Sequence, residues 1–208
     1  MKIGSAHSDE TTAKRYFYGE IGKSVLVNKL GITAQADLDR AEAFFVEYAL
    51  HHGLSKNAQT LSPQGLQAMH KELFGELYAW AGQFRDYTTG RGLPFCRPEF
   101  IAKELTKIYD ELTCQLHHGM DKQALVKISA KFMGELNAIH PFIDGNGRTQ
   151  RETLLIIANQ AGFHVVLNDT TTPYLSQQKW YQAAEESHYY ATYHGFEEII
   201  FNIISNQP

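Results

Sequence analysis

The chain has 208 residues, 43% of them hydrophobic and 20% charged, with a formal net charge of -4. This composition suits a soluble globular protein of about one domain, and it excludes a nucleic-acid coat, which needs a dense basic stripe. No apolar run approaches the roughly 18 residues that span a bilayer, and Met1-Lys2-Ile3-Gly4-Ser5 lacks the apolar centre of a secretory signal. Cys96 and Cys114 make neither a Cys-x-x-Cys pair nor a disulfide framework, as expected of a protein in a reducing cytosol.

Most of the chain reads as amphipathic helix. Over Asp37 to Leu50, Leu38, Ala41, Phe45 and Tyr48 fall on one stripe, with Gly53 as a stop. Ser62-Pro63 opens a second helix whose apolar positions, Leu66, Met69, Leu73, Leu77 and Trp80, continue to Gly82. Phe84 to Phe95 reads differently: β-tolerant residues surround Gly90 and Gly92, which predicts a short hairpin or flap. Pro98 starts a helix with the stripe Ile101, Leu105, Ile108, Leu112 and Leu116, closed by Gly119. Asp121 caps the next, which buries Leu125, Ile128, Phe132, Leu136 and Ile139. After a loop at Ile143 to Gly147, helices follow over Thr149 to Ala161, Pro173 to Tyr189 and Phe196 to Ile204. The expected fold class is therefore all-α: a helical bundle with one short β-hairpin, forming a single domain over 1-208 with its core at about 16-204.

The chemistry concentrates in His140 to Arg151, which runs His-Pro-Phe-Ile-Asp-Gly-Asn-Gly-Arg-Thr-Gln-Arg. Pro141 disfavours helix at His140 and so ends the preceding helix there. Asp144-Gly145-Asn146-Gly147 is a turn that needs positive φ, and a new helix begins behind it. Unpaired N–H groups and the helix dipole make such a start favourable for an anion. Arg148 and Arg151 lie three apart beside it, where each guanidinium can fork onto phosphate oxygens. Asp144 offers the hard oxygen that magnesium prefers, and His140 can accept a proton near neutral pH. Any one of these features is common in isolation; together in one loop they describe a catalytic phosphate site.

This segment resembles the signature of Fic proteins, His-Pro-Phe-x-Asp/Glu-Gly-Asn-Gly-Arg-x-x-Arg, at every fixed position. Tyr18, Leu26 and Asn28 to Ile32 are similar to the family's N-terminal region, and Phe74 to Phe95, with Trp80-Ala81-Gly82, to its helix-then-flap region. The resemblance implies the Fic fold and transfer of AMP from ATP to a Tyr, Thr or Ser hydroxyl of a target protein. His140 would be the general base and Asp144 would hold Mg2+. Gly145, Asn146 and Gly147 would form the anion hole, with Arg148 on the β-phosphate and Arg151 on the γ-phosphate. The flap would wall the ATP through Thr89, Gly90, Arg91 and Gly92, and would dock the target through Thr88, Thr89, Leu93 and Pro94. Trp180 or Tyr181 would lie against adenine. A base with the reference histidine pKa loses activity below roughly pH 6.

Many Fic enzymes restrain themselves with a Ser/Thr-x-x-x-Glu-Gly/Asn helix whose glutamate pairs with the second motif arginine. No Ser or Thr of this chain has Glu four residues later. The resemblance then implies a toxin-like member inhibited in trans by a small antitoxin. No secretion domain follows the Fic-like core, so the expected target is intracellular and bacterial, with type II topoisomerase subunits among the candidates. No direct nucleic-acid or membrane partner is expected, and the location is cytoplasmic.

Other motifs carry less. Gly19 to Ser24 ends like a P-loop, but Phe17 stands where its first glycine belongs. Gly90-x-Gly92 lacks the third glycine of a dinucleotide fingerprint, and the adjacent pairs His51-His52 and His117-His118 do not share a helical face. The alternatives are a Fic-fold kinase or another nucleotidyl or phosphoryl transferase, against which Gly147 speaks because kinase-like relatives carry Lys there, and a catalytically idle helical binding module.

Overall fold

The computed structural model describes residues 7–21, 24–166 and 172–206. The Met1–Ser5 segment, and Gly22 and Lys23 of the P-loop-like fragment, lie outside these residues. In chain order the elements are α1 (His7–Lys14), α2 (Gln35–His52), α3 (Pro63–Phe74), β1 (Gly90–Arg91), β2 (Leu93–Pro94), α4 (Pro98–Gln115), α5 (Lys122–Ile139), α6 (Asn146–Ala161), β3 (Phe163–Val165), a 3-10 turn (Thr172–Leu175), α7 (Gln177–Tyr190), α8 (His194–Ile203) and β4 (Ile204–Asn206). The fold is mostly helical, as its apolar periodicity requires. No described helix is long and apolar enough to cross a membrane.

Local signals place several ends. Ser62 accepts from Gly65 N–H with Pro63 at the first position of α3, and Asp121 accepts from the N–H groups of Gln123 and Ala124 at the start of α5. One large core joins α4 to α8 through Ile101, Leu105, Phe132, Leu136, Ile157 and Phe196. A second joins α2, α3 and the segment after it through Leu38, Met69, Phe74, Leu77 and Tyr78. The His140–Arg151 loop lies where they meet: its Phe142 belongs to the first core, and Ile143 packs against the second.

Four expectations change. The helix expected from Pro173 begins only at Gln177, behind a 3-10 turn over Thr172–Leu175. The helix expected to run to Gly82 stops at Phe74, where Gly75 weakens it. Beyond it, Leu77 N–H and Tyr78 N–H both return to the Phe74 carbonyl, and Trp80 starts another turn. Leu77 and Trp80 are buried, so their spacing reported burial but not helix. The helix expected from Thr149 starts at Asn146, because Gly145, with φ of 79°, supplies the cap. A second antiparallel pair, β3 with β4 in the register Phe163↔Asn206, stands beside the flap hairpin β1–β2. Its strands are three residues long, too short for alternation to show.

Candidate active site

The site grows from the end of α5. His140 caps that helix in the left-handed region, φ 47°, which a non-glycine residue adopts only when its surroundings hold it. Arg85 does the holding. Although it is 1% exposed, its contacts are all to backbone carbonyls: Nε donates to His140 O at 2.7 Å, Nη1 to Tyr87 O at 2.9 Å, and Nη2 to Ile139 O at 3.0 Å and to Cys96 O. Its own N–H bonds Pro141 O at 2.8 Å. One guanidinium thus satisfies the last carbonyls of α5 and ties them to both stems of the flap.

The His140 ring lies flat on Phe95, with centroids 3.9 Å apart and planes 4° apart. Its Nδ1 is shielded from solvent with no hydrogen bond of good geometry. Burial foremost, and then the positive charges of Arg85 and Arg91, push its pKa down from 6.5 to about 3, against a smaller upward pull from the Asn137 carbonyl. The imidazole is therefore neutral throughout the pH range in which the protein would work. On this basis the ring itself is not expected to cost activity below roughly pH 6, where a solvated ring would.

Phe142 and Asn146 shape the loop that follows. Phe142 is buried, and the Asn146 side chain makes two bonds to it, accepting from its N–H at 3.0 Å and donating to its carbonyl at 2.9 Å. The Asn146 amide thus braces the loop, and only its backbone N–H faces the open helix start. His70, on α3, reaches the same loop. Its Nδ1 accepts from Gly82 N–H at 2.9 Å, so the proton sits on Nε2, which donates to Asp144 O at 2.9 Å. Burial lowers its pKa to about 4, which keeps that tautomer neutral.

Gly145 must be glycine on two counts: φ is 79°, and a Cβ there would meet the Phe74 ring at 2.5 Å. Behind it the first helical bond of α6 is Thr149 N–H to Gly145 O, so the N–H groups of Asn146, Gly147 and Arg148 have no partner within the helix. A Cβ on Gly147 would come near only Arg151 Nη1, at 3.8 Å, so this glycine faces open space. Arg148 donates through Nη1 to Glu42 at 2.5 Å, lies 4.5 Å over the Phe74 ring, and has Nη2 3.6 Å from Asp144 Oδ1. Arg151 lies 5.8 Å from the Trp180 ring, and no carboxylate pairs with it among the described residues. Asp144 is half exposed, with Oδ1 accepting from Gly145 N–H.

The flap leans on α7. Tyr189 donates to Arg91 O at 2.9 Å, His188 Nε2 lies 3.2 Å from Leu93 O, and the Arg91 guanidinium lies 4.9 Å over Tyr181. Gly90, Arg91, Gly92, Leu93 and Pro94 are exposed, whereas Thr88 and Thr89 are partly buried at the stem. The two aromatic candidates separate. Tyr181 is 44% exposed beside Arg91, but Trp180 is 2% exposed, edge-on to Phe196 and bonded to Gln150. Trp180 is therefore a core residue, which corrects its expected place against a base. Arg85, His70, Tyr78 and Glu42 escaped the reading of the sequence. One signal could have found Glu42 and His70: each is a polar residue inside an apolar stripe, Glu42 between Leu38 and Phe45, His70 between Leu66 and Phe74.

Known proteins resemble this chain in sequence and in fold. A profile of the Fic/DOC family matches residues 60–158. The probable protein adenylyltransferase y4lH of Sinorhizobium fredii is 35% identical over 147 residues, 69% of this chain and 76% of that protein. Protein adenylyltransferase VbhT of Bartonella schoenbuchensis is 32% identical over 83% of this chain, which spans 36% of VbhT. Among solved structures, BepC of Bartonella tribocorum with bound AMPPNP superposes with a TM-score of 0.81 at 23% identity, covering 98% of this chain and 100% of that one. A Fic domain from Bartonella quintana with bound ADP gives 0.78 at 24%, covering 92% and 95%. With the motif loop inside the matched segment and identity running through most of one relative, the chain belongs to the Fic/DOC family.

Proposed function

We propose that this chain is a protein adenylyltransferase that transfers AMP from ATP to a Tyr, Thr or Ser hydroxyl of a target protein. One observation carries the reading: a part-buried, neutral His140 imidazole and a glycine-opened helix start flanked by Arg148 and Arg151 belong to one loop. The relatives named as protein adenylyltransferases, and the AMPPNP and ADP bound to structural neighbours, support it.

In this mechanism His140 takes the proton of the target hydroxyl. The oxygen bonds to the α-phosphorus as the bond from that phosphorus to its bridging oxygen breaks, and pyrophosphate leaves. Positioning and charge neutralisation supply most of the rate. The N–H groups of Asn146 and Gly147 hold the phosphates, Arg148 the β-phosphate and Arg151 the γ-phosphate. The exposed carboxylate of Asp144 suits the one protein ligand that magnesium takes when phosphates and water complete its shell. Asp144 would hold such an ion, which would supply neutralisation of phosphate charge. Tyr181 is the aromatic surface available to adenine, and Thr88, Thr89, Leu93 and Pro94 form the edge for the target, recognised mainly through backbone.

Regulation by a separate antitoxin and a cytoplasmic location complete the proposal. The absence of any Ser/Thr-x-x-x-Glu sequence supports the first, and free Cys96 and Cys114 suit the second. Incubation of the protein with bacterial lysate and α-labelled ATP tests the activity. A labelled protein band that disappears in His140→Ala supports AMP transfer, whereas label delivered only from γ-labelled ATP makes the chain a kinase. Mass spectrometry of the labelled band identifies the target.

A further inference from the structure

A carboxylate far from the motif in sequence is built into the phosphate seat. Glu42 lies on the apolar stripe of α2 and is 8% exposed. A buried charge persists only with partners, and here each oxygen has one. Oε1 accepts the Tyr78 hydroxyl, and Oε2 accepts Arg148 Nη1 at 2.5 Å across a separation of 106 residues. Tyr78 is itself fixed, 1% exposed and stacked on Trp80 at 4.4 Å. Arg148 is thereby held on one edge by Glu42 and on one face by Phe74, with Nη2 left on the side of Asp144.

We propose that Glu42 is a positioning residue for nucleotide binding: anchored by Tyr78, it holds one edge of the Arg148 guanidinium so that the other meets a polyphosphate at the start of α6. This rests on the reading of Arg148 as a phosphate ligand. The alternative has the opposite sign. A carboxylate beside an anion site repels the anion and competes for the arginine, so if that effect dominates, neutralising Glu42 tightens binding. The geometry favours positioning, because the Tyr78 bond fixes the carboxylate independently of Arg148, whose Nη2 is left on the side of Asp144, 3.6 Å from Oδ1.

Calorimetric titration with ATP and magnesium decides between them, using wild type, Glu42→Gln, Tyr78→Phe, Arg148→Ala and the Glu42→Gln/Arg148→Ala double variant, each checked for folding by circular dichroism. Glu42→Gln is expected to bind ATP about tenfold more weakly, and in labelling assays to raise KM for ATP more than it lowers kcat. Tyr78→Phe, which keeps the charge but frees the carboxylate, should weaken binding in the same direction and serves if Glu42→Gln does not fold. In the Arg148→Ala background the Glu42 effect should vanish. Unchanged or tighter binding by Glu42→Gln overturns the proposal, as does a cost that persists without Arg148. These results leave AMP transfer standing, which His140→Ala tests separately, whereas a folded wild type that binds no ATP overturns both.

Discussion

At His140 the ring is kept neutral by shielding from water. The ring is sandwiched against Phe95 and faces two arginines, so its proton affinity falls to about 3. Histidine-resolved NMR should find no titration of His140 between pH 7.5 and 5, and a midpoint near 6.5 would mean that the ring is open to solvent. Replacing it with alanine should lower transfer by about 10²- to 10⁴-fold, the usual range for a positioned base, with ATP affinity preserved. Gly147 gives a complementary test. Because a Cβ there meets nothing closer than 3.8 Å, Gly147→Ala should fold with unchanged or slightly higher thermal stability. The methyl group would nevertheless occupy the face that phosphate approaches, so ATP binding should weaken by about tenfold or more, a loss that stability cannot explain.

Between elements, the Arg85 side chain does for α5 what a capping residue does elsewhere, and it reaches the flap stems as well. Arg85→Met removes the donors and leaves four carbonyls, two of them in fully buried bonds, short of a partner. A loss of about 3–5 kcal/mol is expected, read as a fall in the midpoint of urea unfolding. The flap depends on a lighter contact. Removing one hydroxyl in Tyr189→Phe frees the Arg91 carbonyl, which should speed amide exchange in residues 90–94 and raise KM for the target while global stability changes by under about 1 kcal/mol. The elements differ in how far local sequence announces them. Helices α4 and α5 were legible because each carries a long apolar stripe with a cap or a first-turn proline. The segment after Phe74 was not, because its apolar residues keep helical spacing while Gly75 ends the helix beneath them. The loop chemistry was legible because its residues are neighbours in sequence. Glu42, His70, Tyr78 and Arg85 were not, because each acts across the fold on a backbone group or side chain that no local pattern ties to it.

For the molecule as a whole, two shielded histidines contribute to how it responds to acid. His70 and His140 have folded pKa values of about 4 and about 3, both below the 6.5 of a solvated ring. Below pH 6.5 the unfolded chain takes protons that the folded one refuses, so stability falls as pH drops from 6.5 toward those values and is unaffected above. By pH 4 the loss is about 3 kcal/mol for each histidine, comparable with much of the stability of a domain this size. Urea titrations at pH 7 and pH 4 measure it, and His70→Gln should flatten the slope by about half even if it lowers stability at pH 7. The same burial that keeps these two rings neutral therefore makes the fold sensitive to acid.

The Arg85 staple has a further consequence, for how such a protein can diversify. It joins the backbone of His140 to both flap stems, so a change at the stem is also a change at the backbone that carries that ring. The exposed tip, Gly90 to Pro94, carries no such tie to His140 and touches the rest of the fold through α7. If the flap docks the target as proposed, changes at the tip and in the α7 residues under it would alter target choice with less disturbance of the backbone that Arg85 holds than changes at the stem.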